Sequence, residues 1–277
     1  MYEDYWQLRA KPFEPVTSAE GFFPSEAHQG ALLKLQYAID GRRAAAVLSG
    51  PSGVGKTLLA QRLIAGFAEQ EDSPIGPIAH LVFPQMAYQD LLAYLAAKLG
   101  SADAAGATLS VDESVRRIEN RLRENHDAGR HAVIVLDEAQ LLEDTGLLET
   151  IRLLLNLGPS PGAWMTLLLV GQMGLLSALA RRPALEERLA VKSMLRPLTA
   201  AETGDYLRTR LEAVGATREV FEPSAVEMMH CLTGGVPRRI DRLGDLSLVV
   251  GYADGVPAID ADQIKAVSQE LLAVSPE

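Results

Sequence analysis

Residues Gly50 to Thr57 read GPSGVGKT and fit the spacing G-x-x-x-x-G-K-[ST]. Glycines at that spacing let the backbone curl until its N–H groups point at polyphosphate oxygens. Lys56 then reaches the β- and γ-phosphates, and Thr57 offers a hydroxyl to Mg²⁺. The residues expected to touch the nucleotide are Gly50, Pro51, Ser52, Gly53, Val54, Gly55, Lys56, Thr57 and Leu58. A second constellation lies at Val133 to Gln140, VIVLDEAQ, where four apolar residues run into two acids. Asp137 would hold Mg²⁺, directly or through water, and Glu138 would orient and deprotonate the attacking water. A bare Asp-Glu pair often marks a solvated turn. Here it ends an apolar strand in a chain that already has a phosphate loop. A catalytic Glu beside the metal-binding Asp predicts hydrolysis of ATP to ADP and phosphate, not binding alone.

Three further residues could complete such a site. Gln172 ends WMTLLLVGQ, and a side-chain amide there can accept from water and donate to phosphate; the alternative is a loop residue capping the next helix. Arg188 lies just before the last apolar run, where Glu186 or Glu187 could pair with it. In a ring or filament the same position could reach a neighbour's γ-phosphate as an arginine finger, with Arg181 and Arg182 as competitors. Finally, TGGVPRRID (233–241) places Arg238 and Arg239 in the first turn of a helix starting at Pro237. The macrodipole opposes cations there. A bound triphosphate would make Arg238 welcome, whereas Arg239 is expected to pair with Asp241 or Asp245.

Strands must carry these groups. The runs AAAVLS (44–49), IAHLVF (78–83), HAVIVLD (131–137), WMTLLLV (164–170) and VKSMLRPL (191–198) read as strands, mostly buried on both faces. Helical patterns lie near 25–40, 56–70, 86–99, 111–128 and 145–157. That alternation predicts an α/β fold with a parallel sheet, whose ligands bind beyond the C-terminal strand ends. After Pro197 four amphipathic helices follow without strands. The expected organisation is an N-terminal segment (1–40), a nucleotide-binding α/β domain (41–197) and a helical lid (198–277), with ATP between the last two.

Composition narrows the class. With 277 residues the chain can bury a substantial core. One cysteine, Cys231, leaves no intrachain disulfide and fits a reducing compartment. The opening MYEDYWQLRAKPFEP does not read as a signal peptide, and the longest apolar run is far too short to span a bilayer. A cytoplasmic protein is expected. The net charge of −10 argues against bulk affinity for nucleic acid.

Together these motifs resemble the AAA+ superfamily, and within it the general secretion pathway ATPases of the ExeA (GspA) type. The tyrosine- and proline-bearing opening, FFPSEAHQGALLKLQYAI, DEAQLL, LLETIRLLLNL, LLLVGQ, ERLAVKSMLRPLT and GGVPRRID follow in that family's order. The resemblance implies an AAA+ P-loop NTPase fold, a five-stranded parallel sheet flanked by helices with a C-terminal all-helical lid. It makes Asp137 and Glu138 the Walker B pair, Gln172 sensor 1, Arg188 the finger and Arg238 sensor 2. It also brings Phe22, Phe23 and His28 towards the adenine, although core packing would serve them equally. Larger ExeA-type proteins carry a transmembrane segment and a periplasmic peptidoglycan-binding part, and neither is read in this sequence. The chain looks more like the soluble ATPases tied to pilus or exopolysaccharide export. Mg²⁺ and ATP/ADP as cofactors, self-association and a protein partner at the inner membrane are thus expected. Transposition regulators of the TniB and TnsC kind are the alternative, which would bring DNA.

Other residues invite a plainer reading. His28, His80, His126, His131 and His230 are scattered without metal-ligand spacing. Cys231, beside Met228 and Met229, reads as helix core. The arginines of VRRIENRLRENHDAGRH alternate with acids, as on a solvated helix face rather than a DNA-binding one.

Overall fold

The computed structural model describes residues 1–14, 21–70, 72–82, 86–100, 109–143, 146–160 and 163–273. The chain opens with a helical turn, α1 (Glu3–Trp6), and a longer helix, α2 (Glu26–Asp40). β1 (Ala45–Ser49) leads into α3 (Lys56–Ala68), and β2 (Ile75–Leu81) into α4 (Tyr88–Leu99) and α5 (Val111–Asp127). β3 (His131–Leu136) precedes a 3-10 turn (Ala139–Leu142) and α6 (Leu147–Leu154). β4 (Met165–Gly171) is followed by α7 (Gly174–Ala180), α8 (Pro183–Glu186) and β5 (Leu189–Met194). Four helices complete the chain: α9 (Ala200–Ala213), α10 (Pro223–Thr233), α11 (Pro237–Asp254) and α12 (Ala261–Ala273). Phe83, read as the end of the second strand, lies outside the described residues.

The five strands form one parallel sheet in the order β2-β3-β4-β1-β5. Every residue of β1, β3 and β4 is buried, as continuously apolar runs demand when helices cover both faces. β5 departs from the expected double burial. It is an edge strand, and its residues alternate between partial burial and exposure over its first four positions.

By its contacts the chain divides into two compact units. The sheet unit comprises residues 26–52 and 56–195; the helical unit comprises 1–25, 53–55 and 196–277. The aromatic opening is core of the helical unit. Trp6 is fully buried, and its indole N–H donates to the Leu248 carbonyl at 2.9 Å. The Tyr2 hydroxyl donates to Asp245, and burial together with that carboxylate pushes the phenol pKa up. Glycines make the fit possible. A Cβ on Gly251 would come 2.9 Å from the Trp6 ring, and one on Gly244 2.8 Å from the Phe13 ring. Seven residues, two helical turns, separate them, so both notches open on one face of α11.

The helices start and stop for local reasons. Thr199 and Glu202 form a reciprocal capping box at α9. Burial alone would raise the Glu202 carboxyl, but hydrogen bonds from Arg196 and the Thr199 N–H carry it down to about 2. Gly234 ends α10 in the left-handed conformation. Cys231, expected in the core, is exposed. The buried face of α10 is Ala225, Met229 and Thr233, one residue per turn, and a residue two past Met229 points away from it. On α5 the arginines pair locally with acids: Arg116 with Asp112, Arg117 with Glu113, Arg121 with Glu124 and Arg123 with Glu119. No described helix is long and apolar enough to cross a membrane.

His131 opens β3 fully buried. Thr166 donates its hydroxyl to the Arg43 carbonyl at 2.6 Å and therefore accepts from His131 Nε2 at 2.9 Å. Burial, reinforced by the charge of Arg42, lowers the imidazole pKa to about 4. The folded state therefore favours neutral histidine, and its contribution is complete above the unfolded pKa of about 6.5. It is lost as pH falls from there towards 4, with roughly 2 kcal/mol gone at pH 5. Urea unfolding at pH 7 and pH 5 should show that loss, and His131→Gln should remove most of it.

Candidate functional site

The phosphate loop leaves β1 at Ser49, whose carbonyl accepts from Leu195 N–H at 2.8 Å. Gly53 and Gly55 take φ of 82° and 95°, a region that disfavours side chains. Lys56 begins α3 almost fully buried, and its ammonium donates to the carbonyls of Gly50 (3.0 Å) and Pro51 (2.8 Å). The lysine thus curls back over the start of its own loop. Leu58 and Thr57 are half-buried beside it.

Thr57 donates from Oγ1 to Asp137 Oδ2 at 2.6 Å. Asp137 is buried just past the end of β3. Its N–H donates to the Leu81 carbonyl at 2.8 Å, and its Oδ1 accepts the Glu138 N–H at 2.8 Å. Glu138 adopts φ 50° and ψ 36°, a left-handed conformation that costs a non-glycine residue about 1–2 kcal/mol. Strain of that kind persists only where surroundings enforce it and concentrates at functional sites. The Thr57 hydroxyl and the Asp137 carboxylate in contact make a pair of hard oxygen donors, suited to Mg²⁺. Thr57 and Asp137 would hold that ion.

Sequence reasoning passed over Gln140, two residues beyond Glu138. Its Nε2 donates to Glu138 Oε2 at 2.5 Å, and its Oε1 accepts the backbone N–H of Gln172 at 2.9 Å. Only a polar residue closing the VIVLDEAQ stretch marks it in the sequence, and in the structure it is half-buried. Gln172 sits just past the end of β4 with its side chain exposed.

The expected site residues divide between the two units. Lys56, Thr57, Asp137, Glu138, Gln172 and Arg188 belong to the sheet unit, and Arg238 belongs with Gly53–Gly55 to the helical one. Arg238 lies in the first turn of α11, exposed, and its N–H donates to the Gly53 carbonyl at 3.3 Å. A Cβ on Gly53 would come 2.9 Å from Arg238 Cβ, so that glycine owes its identity to close approach as well as to φ. Among the described residues the Arg238 guanidinium has no hydrogen bond or ion pair. Arg239 pairs with neither expected acid; Asp241 accepts from Tyr206 and Asp245 from Tyr2. Phe23 packs edge-on against Tyr206 at 5.3 Å in the helical core.

Arg188 does not pair with Glu186 or Glu187. Its guanidinium donates to the Leu155 carbonyl at 3.1 Å and to Asn156 Oδ1 at 2.6 Å, at the C-terminal end of α6. Glu186 instead accepts from Lys192. Arg181 pairs with Glu143, which lies 3.8 Å from Arg182.

The fold and the loop define a P-loop NTPase of the AAA+ kind. The AAA domain family model matches residues 39–179, and the chain belongs to that family. Over its whole length it is 30% identical to General secretion pathway protein A of Aeromonas hydrophila, and it spans about half of that relative (50%). Among solved structures, the Aeropyrum pernix ORC2 protein, solved as ADPNP–ADP complexes, superposes with a TM-score of 0.69 over 96% of this chain and 72% of that one, at 18% identity. Drosophila ORC bound to DNA gives 0.71 over 98% and 66%, at 15% identity. The RuvB branch migration motor of Thermotoga maritima gives 0.58 over 95% and 74%, at 20% identity. These likenesses establish the fold.

A cation on the last carbonyls of a helix offsets its negative end. Arg188→Ala should therefore lower the unfolding free energy by about 1 kcal/mol, measurable by urea titration whatever else Arg188 does.

Proposed function

We propose that this chain is a Mg²⁺-dependent ATPase that works as an oligomer and serves an envelope secretion, pilus or exopolysaccharide export system. The observation that carries the hydrolytic reading is the contact of Thr57 with Asp137, with Glu138 strained beside it. Bound Mg²⁺ supplies charge neutralisation on the phosphates. Lys56 binds the β- and γ-phosphates, and the loop N–H groups cradle them. Glu138 orients water and takes its proton. Gln172 orients the γ-phosphate side, and Arg238 supplies the cation that its helix end otherwise disfavours.

The export role rests on the likeness to General secretion pathway protein A. It fits a cytoplasmic protein brought to the inner membrane by a partner. Self-association brings a neighbour's cation to the γ-phosphate. Arg188 is our candidate for that finger, and it would have to exchange two hydrogen bonds within its own subunit for the neighbour's site. Arg181 and Arg182, both beside Glu143, are its competitors. The transposition alternative finds no support on α5, whose arginines are engaged by acids of the same helix.

Lys56→Ala should abolish ATP binding or turnover. Glu138→Gln should bind ATP with near-normal affinity yet cleave it about 100-fold more slowly or worse. Phosphate release and equilibrium nucleotide binding measure the two effects separately. Rapid hydrolysis by Glu138→Gln would remove Glu138 from its role. The specific rate should also climb with protein concentration, and a flat profile would exclude a trans finger.

A further inference from the structure

We propose that Gln140 is the positioning residue of this site: its amide clamps the Glu138 carboxylate and anchors it to the backbone at Gln172. The proposal rests on the hydrolytic reading above and extends it to a residue outside the expected set.

Chemistry fixes the orientation of the amide. The backbone N–H of Gln172 can only donate, so the group facing it must be the Gln140 carbonyl oxygen, at 2.9 Å. The NH₂ therefore faces Glu138 Oε2, at 2.5 Å, as a short hydrogen bond to a charged acceptor. One carboxylate oxygen is taken, and the other is left to meet water.

Local backbone makes the clamp possible. In a regular helix side chains two residues apart do not face each other. The left-handed turn at Glu138 and the 3-10 turn after it bring the two together. Space is reserved as well. A Cβ on Gly171 would lie 2.8 Å from Gln140 Oε1 and 2.9 Å from Leu175 Cδ2. The end of β4 is bare where the amide crosses it. Because the anchor is the backbone of Gln172, a shift of that strand end reaches Glu138 through one side chain.

Gln140→Glu tests this most sharply. It keeps an acceptor for the Gln172 N–H but replaces the donor facing Glu138 with a second acceptor. Expected are a kcat lower by about 10- to 100-fold, an unchanged KM, unchanged affinity for a non-hydrolysable ATP analogue, and a melting temperature within about 2 °C of wild type. Gly171→Ala should likewise lower kcat by displacing the amide, with an added loss of melting temperature because its Cβ also meets buried Leu175. In a Glu138→Gln background, Gln140→Glu should add nothing further to the loss, since it acts through Glu138. Wild-type kcat in Gln140→Glu, a loss confined to binding or melting temperature, or full additivity with Glu138→Gln would each overturn the positioning role while leaving the ATPase reading intact. A wild-type chain that binds ATP but never cleaves it at any protein concentration would overturn the hydrolytic reading, and the positioning role with it.

Discussion

The hydrogen bond from Thr57 to Asp137 joins two segments that are not neighbours in the sheet. Thr57 follows β1, Asp137 follows β3, and β4 lies between those strands. The contact exists only because the central strands are held in register. Leu136 of β3 stands opposite Leu169 of β4, and Gly171 of β4 opposite Ser49 of β1. Complete burial of all three strands holds them there, since interiors packed to crystal-like density resist displacement. The polar pair is thus positioned by apolar packing beneath it. The same arrangement explains Gly171: the strand crossed by the site ends without a side chain.

Much of this was legible because it is local. GPSGVGKT states its own conformation, since two of its glycines take positive φ and its lysine opens a helix. VIVLDEAQ announces a buried strand that ends in acids. Pro237 and Gly234 mark one helix start and one helix stop where the structure has them. The legible features each depend on residues within a few positions of one another.

What escaped depends on partners far away or on bonds that leave no mark. The aromatic opening is core of the helical unit because Gly244 and Gly251, over 230 residues later, lack side chains. Arg188 finds the Leu155 carbonyl, and a backbone acceptor has no residue type to betray it. Gln140 meets Glu138 only because a non-glycine residue turns left-handed, which composition does not predict. Cys231 is a different failure. Hydrophobic neighbours suggested core, but helical phase decides exposure, and counting from Met229 would have placed it outward.

The arginines show how context separates structure from chemistry. Arg218 lies over the faces of Trp6 and Tyr5 and donates to the Tyr5 carbonyl. Arg196 clasps Glu202, and Arg188 caps a helix end. Each has partners that account for it within the chain. Arg238 is placed differently. It begins a helix with no acid in its first turn and no side-chain cap, so dipole and cation reinforce one another without compensation. Folding gains nothing from that placement, and a neutral residue there would relieve it by a few tenths of a kcal/mol. The unfavourable term becomes favourable once an anion meets the same helix end, because guanidinium and backbone then act on it together. On the proposed reading Arg238 would meet the nucleotide through charge alone, whereas the Gln140 clamp would hold Glu138 through hydrogen bonds. Both are arrangements of groups whose merit lies in the bound state rather than in the folded one.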